Sequence, residues 1–159
     1  MTTFRDNLLA GKTAFVAGGT SGINLGIAKR FAELGAKVAV AGRDPDKAAR
    51  AATDIGNGAL GLSGDVRDYA AIRGVMERVA GELGPMDIVI SGAAGNFLAP
   101  VLGMSANAFR TVVDIDLNGT FNVFRGCHDL LNRPGASLIA ITAGQAVNAS
   151  ALQAHACAA

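Results

Sequence analysis

Short continuous apolar runs alternate along this chain with longer segments whose apolar residues recur at a helical period. The run KTAFVAG, 12–18, is too short for a helix and reads as a buried strand. Next, Ile23, Ile27, Phe31 and Leu34 recur at i, i+4, i+8 and i+11 while Lys29, Arg30 and Glu33 fall elsewhere, which predicts an amphipathic helix. Gly35 ends it, and AKVAVAG, 36–42, is the second strand. DPDKAARAATDI opens with an acidic residue and Pro45 in its first turn, a helix start. GALGLSG, 58–64, is a weaker third strand. Tyr69, Ile72, Val75, Met76, Val79 and Leu83 line one face of a helix that stops at Gly84-Pro85. MDIVISG, 86–92, is a fourth strand, a long helix is predicted from about 105 to 132, and ASLIAITAG, 136–144, is a fifth strand. ALQAHACAA, 151–159, has the composition of opening helical turns. Strands separated by helices of this length are parallel, and right-handed crossovers put helices on both faces. The fold class is therefore α/β, a doubly wound parallel sheet. With no internal repeat, linker or low-complexity tract, residues 1–159 read as one domain.

Composition narrows the partners. Half the residues are apolar and 17% are charged, a globular balance. Net charge is +1 with both signs interspersed, which disfavours nucleic acid or an anionic membrane as partner. Cys127 and Cys157 lack the number and spacing of a disulfide framework or zinc site; no metal is expected, and both read as buried thiols in a reducing compartment. The segment MTTFRDNLLAGK has no long apolar core, and no apolar run approaches the ~18 residues of a membrane span. A cytoplasmic protein is expected, which makes the N-x-[ST] triplets at Asn118 and Asn148 chance matches. Glycine stands out at 21 of 159 residues, most of them at the ends of apolar runs.

The most informative glycines lie in AGGTSGINLG, 17–26, between the first strand and first helix. A glycine-rich turn here presents backbone N–H groups at a helix N-terminus, where partial positive charge favours a pyrophosphate. The alternative is a turn that only packs strand on helix. Gly18, Thr20, Ser21, Gly22 and Ile23 are the residues expected to meet a dinucleotide. The GKT at 11–13 mimics the end of another phosphate loop, but that loop needs glycine where Asp6 stands and leads into a helix, not a strand. A site for NAD places an acid after the second strand to hold the ribose 2′-OH. This chain has Gly42 and then Arg43, which suits the 2′-phosphate of NADP(H); the alternative is a solvated surface arginine.

GGTSGIN, GDV at 64–66, ISGAAG at 90–95 and DIDLNGTFNV at 114–123 together resemble the short-chain dehydrogenase/reductase family, which has a Rossmann fold. The resemblance implies that Asp65 holds the adenine amino group, with Val66 beside it. It further implies that Ala93, Ala94 and Gly95 lie along a cofactor ribose and that Ile141 contacts the cofactor. The chain departs from the family at Asn24, where Gly is usual, at Ser91-Gly92, where Asn-Asn is usual, and at Asp116, where Asn is usual. The catalytic Ser and Tyr fall on Ala143 and Ala156, so both hydroxyls of a carbonyl-reducing site are missing. AAGNF at 93–97, DIDLNGTFN, ITA and ALQAHA are similar to the NADPH-dependent 2,4-dienoyl-CoA reductase branch, especially its peroxisomal type.

That branch sends hydride to the δ carbon of a conjugated thioester; negative charge gathers on the thioester oxygen and a proton returns to the α carbon. Asp116 falls on the apolar stripe Phe109, Val112, Val113, Asp116, Thr120 and Phe124, where lost hydration raises a carboxyl pKa and makes it a proton donor or a holder of catalytic water. The alternative is an Asp that braces a loop. The resemblance makes Asn118 the second catalytic choice, although it lies about 200° around a helix from Asp116. His128 and His155 read as ordinary packing residues. Two other functions stay open: a carbonyl short-chain dehydrogenase with an atypical proton donor, and a non-catalytic NADP(H)-binding sensor or scaffold. The resemblance also implies a homo-oligomer, dimer or tetramer, paired through 105–132, and a parent chain continuing past Ala159 with the catalytic Lys and a substrate loop.

Overall fold

A computed structural model describes residues 4–159; residues 1–3 of the segment read above for an apolar leader lie outside it. Strands β1 (Thr13–Ala17), β2 (Lys37–Gly42), β3 (Leu60–Ser63), β4 (Ile88–Ser91) and β5 (Ser137–Ala140) form one parallel sheet in the order β3-β2-β1-β4-β5. The chain builds outward from β1 to β3, then crosses back to lay β4 on the other side of β1. This reversal opens a crevice above the carboxyl ends of β1 and β4, the usual place for a ligand in such sheets.

Alternation along β1 divides the core. Ala14 and Val16 face helices α1 (Gly22–Glu33) and α2 (Pro45–Ile55), whereas Phe15 and Ala17 face α3 (Tyr69–Leu83) and α5 (Gly119–Cys127). All five β1 residues are buried, as both faces of a central parallel strand must be. Ile72, Met76 and Val79 of α3 pack on one face with Val123 and Cys127 of α5. Asp44 caps α2 by accepting the Asp46 and Lys47 N–H groups, and Pro45 takes the first helical position.

The structure corrects several expectations. The sheet-facing side of α1 is built on Ala28 and Ala32, with Ile27 and Phe31 partly buried, while Ile23 is 77% exposed. Small residues let the helix axis approach the sheet, and a stripe of large residues does not reveal that. The helix predicted for 105–132 is interrupted: α4 (Ala106–Val113) and α5 flank a π-helical turn, Asp114–Asn118, and a 3₁₀ turn, His128–Leu130, follows. Phe109, placed on its apolar stripe, is 40% exposed. β5 pairs with β4 alone, and Leu138 and Ile139 are exposed, not sandwiched between helices. The helix expected over 151–159 shortens to α6 (Ala154–Ala158), because Leu152 adopts a positive φ of 62° in the preceding turn. Cys127 is buried and burial pushes its thiol up to about 11, but Cys157 is only partly covered. Among the described residues no helix is long and apolar enough to cross a membrane, and no cluster of His, Cys, Asp or Glu could hold a metal.

Candidate functional site

A cavity of about 650 Å³ occupies the crevice. Of the residues singled out in the sequence, Gly18, Thr20, Ser21, Arg43, Asp65, Val66, Ala93 and Ala94 line it. Gly22, Ile23, Gly95 and Ile141 do not; Gly22 and Ile23 open α1, Gly95 lies one residue past the lining stretch, and Ile141 follows β5, its N–H donating to the Ser91 carbonyl. Asn24, Ala41, Gly42, Asp44, Lys47, Gly64, Gly92 and Ile115 also line the cavity and were not among the residues expected to meet the cofactor.

The β1–α1 turn is shaped for close backbone approach. Gly18 has φ of 76°, its N–H donates to the Ala41 carbonyl at 2.9 Å, and a Cβ there would lie 2.6 Å from the Ala93 nitrogen. Ser21, the residue before α1, makes no side-chain cap, so first-turn N–H groups are left for water or an anion. On the facing wall stand Arg43 and Lys47, four residues apart, and among the described residues neither is in an ion pair. The nearby Asp44 carboxylate is engaged by α2: the Lys47 N–H, against the opposing effect of desolvation and with help from the Asp46 N–H, holds it below the ordinary carboxylate value. Asp65 is held low as well, chiefly by the Arg67 guanidinium, which forms an ion pair with it.

Asp116 sits in the π-helical turn at the end of the 93–95 stretch. Its Oδ1 accepts the Gly95 N–H at 2.7 Å; burial pushes its carboxyl above the ordinary value, and the Gly95 bond and nearby His155 only partly counter this. Helix α5 is fastened to the cavity walls by the Ser91 Oγ–Thr120 Oγ1 hydrogen bond, 3.0 Å, and by Asn122 Nδ2 donating to the Val66 carbonyl at 2.8 Å. Asn118 is not brought into this group: it is exposed and donates through Nδ2 to Asp114 Oδ1 at 2.9 Å. Ala143 and Ala156 present methyl groups, which cannot donate or accept hydrogen bonds.

His155 carries more than the sequence indicated. It is wholly buried, its Nε2 lies 3.1 Å from Asn96 Oδ1, and its ring stacks on Phe97 with centroids 4.2 Å apart. Asn96 also donates to Gln153 Oε1 at 2.6 Å, so the start of α6 is tied to the loop that carries Gly95. The alternation of small and polar residues in ALQAHA gave no periodic signal for this burial.

Comparison with known proteins agrees with this arrangement. The family model described as short chain dehydrogenase matches residues 12–159. The peroxisomal 2,4-dienoyl-CoA reductase [(3E)-enoyl-CoA-producing] of Arabidopsis thaliana is 39% identical over 167 residues, covering 96% of this chain and 55% of its own length. The protein of the same name from Rattus norvegicus is 40% identical over 158 residues, covering 96% and 54%. This chain thus spans about half the length of the curated relatives it matches. Among solved structures, a short-chain type dehydrogenase/reductase from Mycobacterium marinum superposes with a TM-score of 0.86 at 28% identity, over 94% of this chain and 64% of that one. A doubly substituted short-chain dehydrogenase/reductase of Serratia marcescens gives 0.88 at 25%, over 94% and 63%. With its parallel sheet, glycine turn and crevice matched along nearly the whole length, the chain belongs to the short chain dehydrogenase family.

Proposed function

We propose that the protein acts as an NADPH-dependent reductase of an unsaturated acyl thioester of the 2,4-dienoyl-CoA type. The residues present fit a dinucleotide: Gly18 keeps clear a space that a Cβ would fill, the α1 N-terminus lacks a side-chain cap, and Arg43 with Lys47 offers positive charge for a 2′-phosphate. When bound, a reduced nicotinamide supplies hydride. The chain's own part is to orient the thioester, to offset the negative charge arriving at its oxygen and to return a proton to the α carbon.

The observation that carries the substrate class is Asp116. Its raised pKa keeps a proton available nearer to neutrality than an ordinary carboxyl would, and the Gly95 N–H fixes its orientation. Ala143 and Ala156 leave no hydroxyl to protonate an alkoxide, which counts against reduction of a ketone. The names of the relatives, dienoyl-CoA reductases, support the same reading. Assembly into a homo-oligomer through 105–132 belongs to it too: Leu117 and Phe121 are 50% and 63% exposed on that segment, large apolar side chains suited to a partner copy.

The test is to give the purified full-length protein NADPH and 2,4-hexadienoyl-CoA and to follow loss of reduced-nicotinamide absorbance. Turnover with formation of a 3-enoyl thioester is expected. Clean reduction of ketones with no turnover of any unsaturated acyl-CoA overturns the proposal, and tight NADPH binding with no hydride transfer to anything points instead to a sensor or scaffold.

A further inference from the structure

Two departures from the family's sequence pattern meet in space. Position 24, where the glycine turn lacks its third glycine, is Asn, and position 92, just past β4, is Gly. Asn24 Nδ2 donates to the Gly92 carbonyl at 2.7 Å. A Cβ on Gly92 would lie 2.6 Å from Asn24 Oδ1 and 2.7 Å from its Cγ, so no side chain fits at 92 while the amide is in place. The acceptor Gly92 carbonyl decides that the nitrogen, not the oxygen, faces it. Asn24 Oδ1 is buried without a partner, and both residues line the cavity.

A glycine at position 24 would serve close helix–strand packing. The larger Asn forces the neighbouring turn to give up its side chain instead, and the hydrogen bond then ties that turn down. The stretch Gly92–Gly95 is consequently held at both ends by side chains from other elements, by Asn24 at its first carbonyl and by Asp116 at its last N–H. An amide with an unpaired buried oxygen is a poor choice for filling space alone, since an apolar side chain would fill it without that penalty.

We propose that Asn24 and Gly92 act as one coupled pair that sets the separation of the two turns flooring the cavity, with Asn24 a positioning residue for the bound dinucleotide. This rests on reading the cavity as a dinucleotide site.

Five versions of the full-length protein test it: a cycle of four, native, Asn24→Gly, Gly92→Ala and those two together, and Asn24→Leu. NADPH binding is measured by fluorescence titration, and thermal unfolding is measured separately without ligand. Gly92→Ala alone is expected to weaken NADPH on the order of tenfold or more, because its Cβ enters the amide, and to cost little once Asn24 is Gly. Asn24→Leu, which keeps the bulk and loses the donor, is expected to bind as weakly as Asn24→Gly. Additive effects overturn the coupling. An Asn24→Leu variant that binds like native, or variants that move only the unfolding midpoint, overturn the positioning role. If native protein binds no NADPH, the dinucleotide reading falls and the positioning role with it, while the four midpoints still decide whether the pair is coupled.

Discussion

The Gly95 N–H and the Asp116 carboxylate, 2.7 Å apart, join the loop after β4 to the π-helical turn before α5. The bond favours the charged carboxylate, yet burial outweighs it, so the folded protein holds the Asp116 proton more tightly than the unfolded chain does. Two consequences follow. If the neutral acid acts in turnover, kcat falls as pH rises through the raised value. Asp116→Asn keeps an oxygen for the Gly95 N–H, lacks the acid, and is expected to lose roughly a hundredfold or more in kcat along with that pH limb. A pH profile of kcat for both proteins checks this; an Asn variant with native rate and native profile removes Asp116 from the chemistry.

On the proposed function, Arg43 and Lys47, which line the cavity, are the residues expected to distinguish NADPH from NADH. Each placed against a 2′-phosphate makes a charge-assisted contact that NADH cannot offer. Arg43→Ala and Lys47→Ala are each expected to weaken NADPH by roughly tenfold while leaving NADH nearly unchanged, and to flatten the salt dependence of NADPH binding. Paired titrations with the two cofactors at low and high salt measure it. Equal losses for both cofactors mean that these cations do not contact the 2′ position.

Arg43, which lines the cavity, stood out in the sequence because it directly follows a strand; Lys47, which also lines it, did not, because it lies a helical turn later on α2, where a lysine has an ordinary solvated face. The i, i+4 spacing of the two was the available signal. The five strands, their parallel arrangement and the glycine turn followed from apolar run length and turn chemistry; the order β3-β2-β1-β4-β5 came from the structure. Ile23 misled for a physical reason: hydrophobic weight finds large side chains, whereas α1 docks through Ala28 and Ala32. The π-helical turn that orients Asp116 inserts a residue without altering composition, so periodicity read straight through it. Asn24 and Gly92 each registered only as a departure from a pattern; their contact spans 68 positions and is visible only in three dimensions.

Gly18 and Gly26 are expected to respond in opposite directions to alanine. At Gly18, φ is 76° and a Cβ would strike backbone of the facing turn, which cannot yield as a flexible side chain would. Gly18→Ala is expected to cost about 1–3 kcal/mol of stability and to abolish NADPH binding. Gly26 lies inside α1 with nothing within 4 Å of its added Cβ. Gly26→Ala is expected to stabilise the protein by about 0.5–1 kcal/mol through helix propensity. Denaturant midpoints with NADPH titrations decide both; a Gly18→Ala variant that binds as native shows the turn to be looser than its geometry indicates.

Asp87, buried at the start of β4, supplies a pH test of the fold that is independent of the cofactor. Its carboxylate accepts Lys12 Nζ at 2.8 Å, the Thr13 N–H at 2.9 Å and Asn132 Nδ2 at 2.9 Å, joining β1, β4 and the segment before β5. Burial alone would raise its pKa, but these three donors outweigh burial and hold it below the ordinary value. A depressed folded pKa means that the stabilisation is present above the unfolded value and is lost as pH falls through the folded one. The sign is opposite for Asp116, whose raised pKa makes its contribution decline as pH rises. Asp87→Asn must turn an N–H₂ towards at least one of three donors, at an expected cost of about 1.5–3 kcal/mol at neutral pH. Urea midpoints measured from neutral to acid pH are expected to converge for the native and Asn proteins as the native carboxylate protonates. A gap that stays constant across that range shows that the cost comes from altered packing and not from loss of the charge.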